Sequence, residues 1–172
     1  MPTRDKVIDG HFHKVLDLHG AAILRLAGTY TNTRSDKEDL FQDIALAIWR
    51  ALPHFRGDSS ERTFVFRIAH NRAITFAARH RPQGASQDSE HVLEMPDPRS
   101  NPEKGLAREQ QETRLFEAIH RLPVDYRQVI TLTLEEMSYS EIGEIVGIGE
   151  SNVGARLSRA RQMLRDLLEV HP

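Results

Sequence analysis

The chain has no cysteine among its 172 residues. Disulfides and cysteine-ligated zinc are therefore excluded, and a reducing compartment suits such a chain. It also lacks any apolar run near the length of a membrane span. The opening residues Met1-Pro-Thr-Arg-Asp5 have no apolar core of the kind a signal peptide needs. The expectation is a cytoplasmic protein without membrane insertion. There is no Gly-rich phosphate loop and no nucleophile motif, so neither a cofactor, nor a catalytic residue, nor enzyme activity is expected. No charge of one sign dominates: 23 Lys and Arg face 25 Asp and Glu, for a net −2. That balance argues against a protein that coats nucleic acid indiscriminately. Strand alternation is missing too. Thr131-Leu-Thr-Leu134 alternates, but it is short and sits within a helical pattern.

Histidine is plentiful, at nine residues. His11 and His13 stand at i, i+2, and His54, His70, His80, His91 and His120 are scattered. No pair has the i, i+4 spacing with a third ligand nearby that zinc requires. They are expected to be surface or satisfied core residues, with no metal site.

What the chain does have is charge in blocks. Between Arg62 and Arg81 lie five arginines and no acid, and between Asp36 and Asp43 lie four acids and one lysine. Blocks of opposite sign suit a basic surface for nucleic acid and an acidic one for a basic partner.

The most informative stretch runs from Ser138 to Arg161. Ser138 and Glu141 have capping-box spacing, so a helix is predicted to start there. Ile142, Ile145 and Val146 share a face, and Gly147 suits a left-handed helix end. Gly149 serves as a second-rate N-cap for the next helix. There Val153, Leu157, Ala160, Leu164 and Leu167 form an apolar stripe, while Asn152, Arg156 and Arg159 share a polar face. This is the sequence form of a helix-turn-helix, and Asn and Arg are among the side chains that read base edges. The arginines alone fit a solvated surface equally well. The turn, the caps and the segregated faces favour DNA.

The fold class expected is all-α, with two small helical domains joined by a flexible linker. The boundaries are 1–82, a linker over 83–104 rich in Pro, Ser, Asp and Asn, and 105–172 with the helix-turn-helix. In the first part, Phe12, Val15, Leu16, His19, Ile23 and Ala27 fit one helix face. Ser35-Asp-Lys-Glu38 is read as a capping box opening a helix with Leu40, Ile44, Ile48 and Leu52 at i+4 spacing. Pro53 and Gly57 break the chain, and Ser59 or Ser60 caps a third helix running to about His80. Trp49 is assigned to the core. In the second part a helix ends near Leu122, and Pro123 suits the first turn of the next.

Two long motifs then carry a resemblance. One is Glu38-Asp-Leu-Phe-Gln-Asp43, followed by Ala47-Ile-Trp-Arg-Ala-Leu52, His54-Phe-Arg-Gly57 and Arg62-Thr-Phe-Val-Phe-Arg-Ile-Ala-His-Asn71. The other is Leu122-Pro with Arg127, then Met137-Ser-Tyr-Ser-Glu-Ile142, Gly147-Ile148 and Arg156-Leu-Ser-Arg-Ala-Arg161. In this order and separation they resemble the bacterial extracytoplasmic-function (ECF) RNA polymerase sigma factors over nearly the whole chain.

The resemblance implies a protein that joins core RNA polymerase, through its β′ and β subunits, and directs it to promoter DNA. It implies that Glu38, Asp39, Gln42 and Asp43 dock on a β′ coiled coil; acids also simply favour a helix N-terminus. It implies −10 recognition by Ser60, Arg62, Thr63, Arg67, His70, Asn71 and Arg72, with the Arg56–Ser60 loop matching one that captures a flipped base. On the −35 side it implies Ser151, Asn152, Arg156 and Arg159. Phe64 and Phe66 are open to base stacking or to a core role, with core favoured. The family often has an anti-sigma partner, and with no extra C-terminal domain expected here such a regulator would be a separate protein. The chain departs from the family pattern at Phe64, His70, Gly143 and Gly154. Each glycine inside a helix is expected to cost about 1 kcal/mol against Ala. A stand-alone helix-turn-helix regulator and a histidine-based metalloenzyme are the competing readings.

Overall fold

Caps and apolar stripes divide the chain into seven α-helices among the described residues, which are 4–80 and 102–169 of a computed structural model. No strand occurs among them. Helix α1 (Arg4–Gly28) turns Val15, His19, Ile23, Leu26 and Ala27 inward, on the face read from the sequence. Its last carbonyls are met by hydroxyls: Thr29 Oγ1 donates to Leu26 O at 2.8 Å and Thr31 Oγ1 to Ala27 O at 3.0 Å.

Helix α2 (Arg34–Ala51) begins earlier than the capping box at Ser35 predicts. Thr33, in extended conformation, accepts the Asp36 amide at 3.0 Å, so Ser35 is already helical. Glu38 is thereby released from the cap, and it pairs with Arg34 one turn back at 2.9 Å. Leu40, Ile44 and Ile48 are buried as the i+4 spacing requires. Leu52 ends the stripe in a single 3-10 turn, Leu52–His54, and Gly57 turns the chain at φ +78°. Ser60 then caps α3 (Glu61–Arg79), accepting the Thr63 amide at 3.0 Å.

Trp49 is not in the core; it is 42% exposed. Nine residues past Leu40, at about 100° per residue, it lies on the opposite side of α2 from that buried leucine. Its indole Nε1 donates to Asp9 Oδ1 on α1 at 3.1 Å.

Helix α4 (Pro102–Arg121) begins inside the stretch read as a linker, with Pro102 in the first turn, where no amide donor is needed. The rest of that stretch, 83–101, lies outside the described residues. Helix α5 (Val124–Leu134) takes in Thr131–Leu134, as its helical context predicts. Helix α6 (Tyr139–Val146) carries the full capping box. Ser138 Oγ accepts the Glu141 amide at 3.2 Å, and the Glu141 carboxylate accepts the Ser138 amide at 2.8 Å. The donated backbone hydrogen bond holds the Glu141 carboxyl below its usual range. Gly147 ends α6 at φ +79°, and α7 (Glu150–Glu169) follows directly with Val153, Leu157, Ala160 and Leu164 buried.

Gly143 and Gly154, each inside a helix, behave oppositely. A Cβ on Gly154 would meet Tyr139 Cε2 at 3.5 Å, an ordinary contact. A Cβ on Gly143 would stand 2.7 Å from the Ile148 backbone oxygen. The expected penalty of glycine against alanine is therefore overturned at Gly143, where only glycine lets the turn close onto α6. Gly154→Ala is expected to stabilise the chain by about 0.5–1 kcal/mol, and Gly143→Ala to destabilise it by about 1–3 kcal/mol. Urea midpoints of the two variants should move in opposite directions; a gain at Gly143 would contradict the close approach.

The halves pack against one another: α1 holds α2 and α3, α5 holds α6 and α7, and α3 lies along α6. At the seam the C-terminus of α1 receives donors from the second half. His120 Nε2 approaches Gly28 O at 2.9 Å, and Thr131 Oγ1 donates to Thr29 Oγ1 at 3.2 Å. The His120 ring thus meets a carbonyl left open at the end of α1.

Candidate nucleic-acid interface

Three surfaces follow from this frame. The first is the outer face of α7. The apolar stripe fixes the helix against α5 and α6, so its polar face has a defined direction. Ser151, Asn152 and Arg159 are exposed and Arg156 is half-buried. None of the four side chains makes a hydrogen bond or ion pair with another described residue. Two guanidinium groups and an amide thus stand ready for acceptors outside the protein, and they lie on the second helix of a capped helix-turn-helix.

The second surface is α3. Its inward stripe is Thr63, Phe66, His70 and Ala73, at i, i+3, i+7 and i+10. Two of the residues expected to face DNA are buried in this arrangement. Thr63 is 2% exposed, with its hydroxyl bound to Ser60 Oγ at 2.9 Å. His70 is 4% exposed and its Nδ1 has no partner, so it is a core histidine, but not a satisfied one. Burial pushes its pKa down to about 4, so the ring is neutral. Phe66 is core and Phe64 packs half-buried on Phe55, with ring centroids 4.7 Å apart. Both fit the core role favoured from the sequence.

Asn71 and Arg72 are exposed on the outer side of α3, Arg62 and Arg67 flank the inward stripe half-buried, and Ser60 is exposed at the cap. Asn71 has no side-chain partner among the described residues. Arg72 lies 3.7 Å from Asp43 of α2. Arg62 leans over the Phe66 ring at 6.0 Å and donates to the Glu135 backbone oxygen. Arg67 donates to Glu144 at 3.2 Å.

The third surface is the outer face of α2, where Asp39, Gln42 and Asp43 are exposed. Leu46, 45% exposed, and Trp49 continue that face. The sequence reading missed both. The signal was present, since the Leu40–Ile44–Ile48 stripe leaves positions 39, 42, 46 and 49 together on the far side. No group of three or more metal-ligating side chains occurs among the described residues, and no described helix is long and apolar enough to cross a membrane.

Comparison with known proteins places these surfaces in a family. The Sigma-70 region 2 model matches residues 15–83, which hold α2 and α3. The Sigma-70, region 4 model matches residues 112–164, which hold the helix-turn-helix. The ECF RNA polymerase sigma-E factor of Haemophilus influenzae is 32% identical over 159 residues, spanning 84% of this chain and 82% of that one. The chain belongs to the ECF sigma factors. As such it is a transcription-initiation factor and not an enzyme. Among solved structures, the sigma factor RpoE of Bartonella quintana, in complex with the anti-sigma factor NepR, has a TM-score of 0.73 at 24% identity. That match covers 94% of this chain and 99% of that one. CnrH, in complex with the cytosolic domain of CnrY, has a TM-score of 0.70 at 25% identity, covering 94% of this chain and 89% of that one.

Proposed function

We propose that this sigma factor reads a promoter at two points and docks on core polymerase through α2. The observation that carries the reading is the unpaired polar face of α7 on a rigid helix-turn-helix. Its chemistry fits a −35 element: Asn152, Arg156 and Arg159 offer directed donors to base edges and phosphates, and Ser151 stands at the helix start, where a phosphate is favoured. On the −10 side the proposed group is Arg62, Arg67, Asn71 and Arg72, with Ser60 at the loop; Thr63 and His70 support α3 from within. Arg72 and Asn71 face outward, while Arg62 and Arg67 flank the buried stripe on either side, so cations for a separated strand are spread around the helix.

Polymerase docking is assigned to Asp39, Gln42 and Asp43, whose acceptors suit arginines on the β′ subunit. Leu46 and Trp49 add apolar contact on the same face. Glu38 contributes less, because Arg34 already engages it. The working compartment is the cytoplasm, where polymerase is found, and an anti-sigma factor holds the chain until released.

Arg156→Ala and Arg159→Ala are the test. Each is expected to weaken −35 recognition by roughly 1–3 kcal/mol if it contacts a base, and to relax preference at one position of the element. Run-off transcription from promoter variants measures this. A promoter profile identical to the wild type would reject the assignment.

A further inference from the structure

The two halves touch through charges as well as packing, and two of the three cations involved, Arg62 and Arg67, are ones assigned to DNA. Arg25 of α1 meets Glu135, in the turn after α5, with two parallel hydrogen bonds of 2.9 and 2.7 Å. The Glu135 side chain is only 8% exposed while that of Arg25 is 55% exposed. A carboxylate so covered needs its partner, since a bidentate guanidinium supplies what water no longer can. The same turn offers its backbone: the Glu135 carbonyl accepts Arg62, and Glu136 is held at φ +58°, in the left-handed region. One turn into α6, Glu144 takes Arg67 at 3.2 Å. The seam between the halves is open to water as a cleft of about 580 Å³, lined by Leu18, His19, Arg25, Arg62, Phe66 and Glu135 among others.

We infer that the segment from Glu135 to Glu144 is an internal latch that occupies Arg62 and Arg67 of the −10 reader in the unbound chain. The Glu135 backbone carbonyl engages Arg62 and the Glu144 carboxylate engages Arg67, so each takes a donor that a strand phosphate would otherwise use. Promoter reading by α3 then requires the second half to swing away, breaking the Arg25–Glu135 pair. The recognition face of α7 stays uncovered in the closed form, so the two readers are not masked alike. This inference rests on the assignment of Arg62 and Arg67 to DNA made above; Arg25, Glu135 and Glu144 belong to no DNA or polymerase surface.

Three variants of the full chain test it: Arg25→Glu, Arg25→Glu with Glu135→Arg, and the mild pair Arg25→Gln with Glu144→Gln. X-ray scattering reads closure without any DNA. Binding of a mixed-sequence single strand of about 20 nucleotides reads access to these cations. Circular dichroism checks that helix content is kept. The wild type is expected to be compact, with a radius of gyration of about 16 Å for this length. Arg25→Glu is expected to expand and to bind the strand roughly tenfold more tightly. Bulk electrostatics predicts the reverse, because that variant is two charges more negative. The reciprocal Glu135→Arg change should restore both compactness and weak binding. The mild pair leaves the net charge unchanged and should bind more tightly than wild type, which keeps the test valid if Arg25→Glu misfolds. A wild type already expanded in solution would overturn the latch and leave the promoter assignment standing. Expansion on reversal with weaker or unchanged strand binding would overturn the masking. Should no variant bind the strand even at low salt, the assignment of Arg62 and Arg67 to DNA fails, and the masking with it.

Discussion

Reversing two charges on α2, with Asp39→Lys and Asp43→Lys, is expected to abolish assembly with core polymerase while leaving the fold intact. Both carboxylates are exposed and lie on the side of α2 away from Leu40, Ile44 and Ile48. The substitution therefore touches no packed contact. Its folding cost is limited to the exposed Asp43–Arg72 pair at 3.7 Å. Such a pair is worth about 1 kcal/mol or less. Against a basic partner the effect is much larger, because like charges brought together across an interface cost several kcal/mol. A loss of about 100-fold or more in affinity for core is expected, read by fluorescence anisotropy of the labelled chain. Glu38→Gln is the matched control, since Glu38 pairs with Arg34, and it should change affinity by less than about threefold. A stand-alone DNA regulator would be indifferent to either change, so an unaltered affinity for core would remove the polymerase role from this face.

The second large effect is on stability and follows from His70. The ring is buried, and its pKa is held at about 4 against the usual 6.5. Between those two values the unfolded chain binds a proton that the folded chain refuses. Stability is thus fully present above the higher value and falls as the pH falls, until the folded ring itself protonates at the lower one. The loss attributable to this one residue is roughly 3 kcal/mol across that window. Carboxylates such as Glu141 also titrate toward the acid end, so the quantity to measure is the difference between wild type and His70→Leu. Urea unfolding at several pH values should show a flatter profile in the variant from pH 6.5 down to 4. Parallel profiles would mean that His70 reaches water in the folded state. A neutral, buried ring offers DNA neither charge nor reach in this arrangement.

Most of the fold was legible because its signals are local. The capping box at Ser138, the left-handed Gly147 and the i+4 stripe of α2 each depend on residues within two turns of chain. The errors have a common cause. Thr33 outcompeted Ser35 as a cap because the cap is set by where the chain is extended. Trp49 was placed by residue type when its angular position on α2 already set it apart from the buried stripe. The motif includes Thr63 and His70, and the inward stripe of α3 passes through both. Gly143 was judged by helix propensity, which knows nothing of the Ile148 carbonyl above it. The Arg25–Glu135 pair joins residues 110 positions apart and had no sequence signal at all. The α7 face, by contrast, stands as the spacing of Asn152, Arg156 and Arg159 places it.

The most direct test is run-off transcription by core polymerase on a pool of genomic fragments, with and without the purified chain. Discrete new transcripts are expected only when the chain is present, with shared elements near −10 and −35 of their start sites. No new start site, together with no association with core, would contradict its role as a sigma factor.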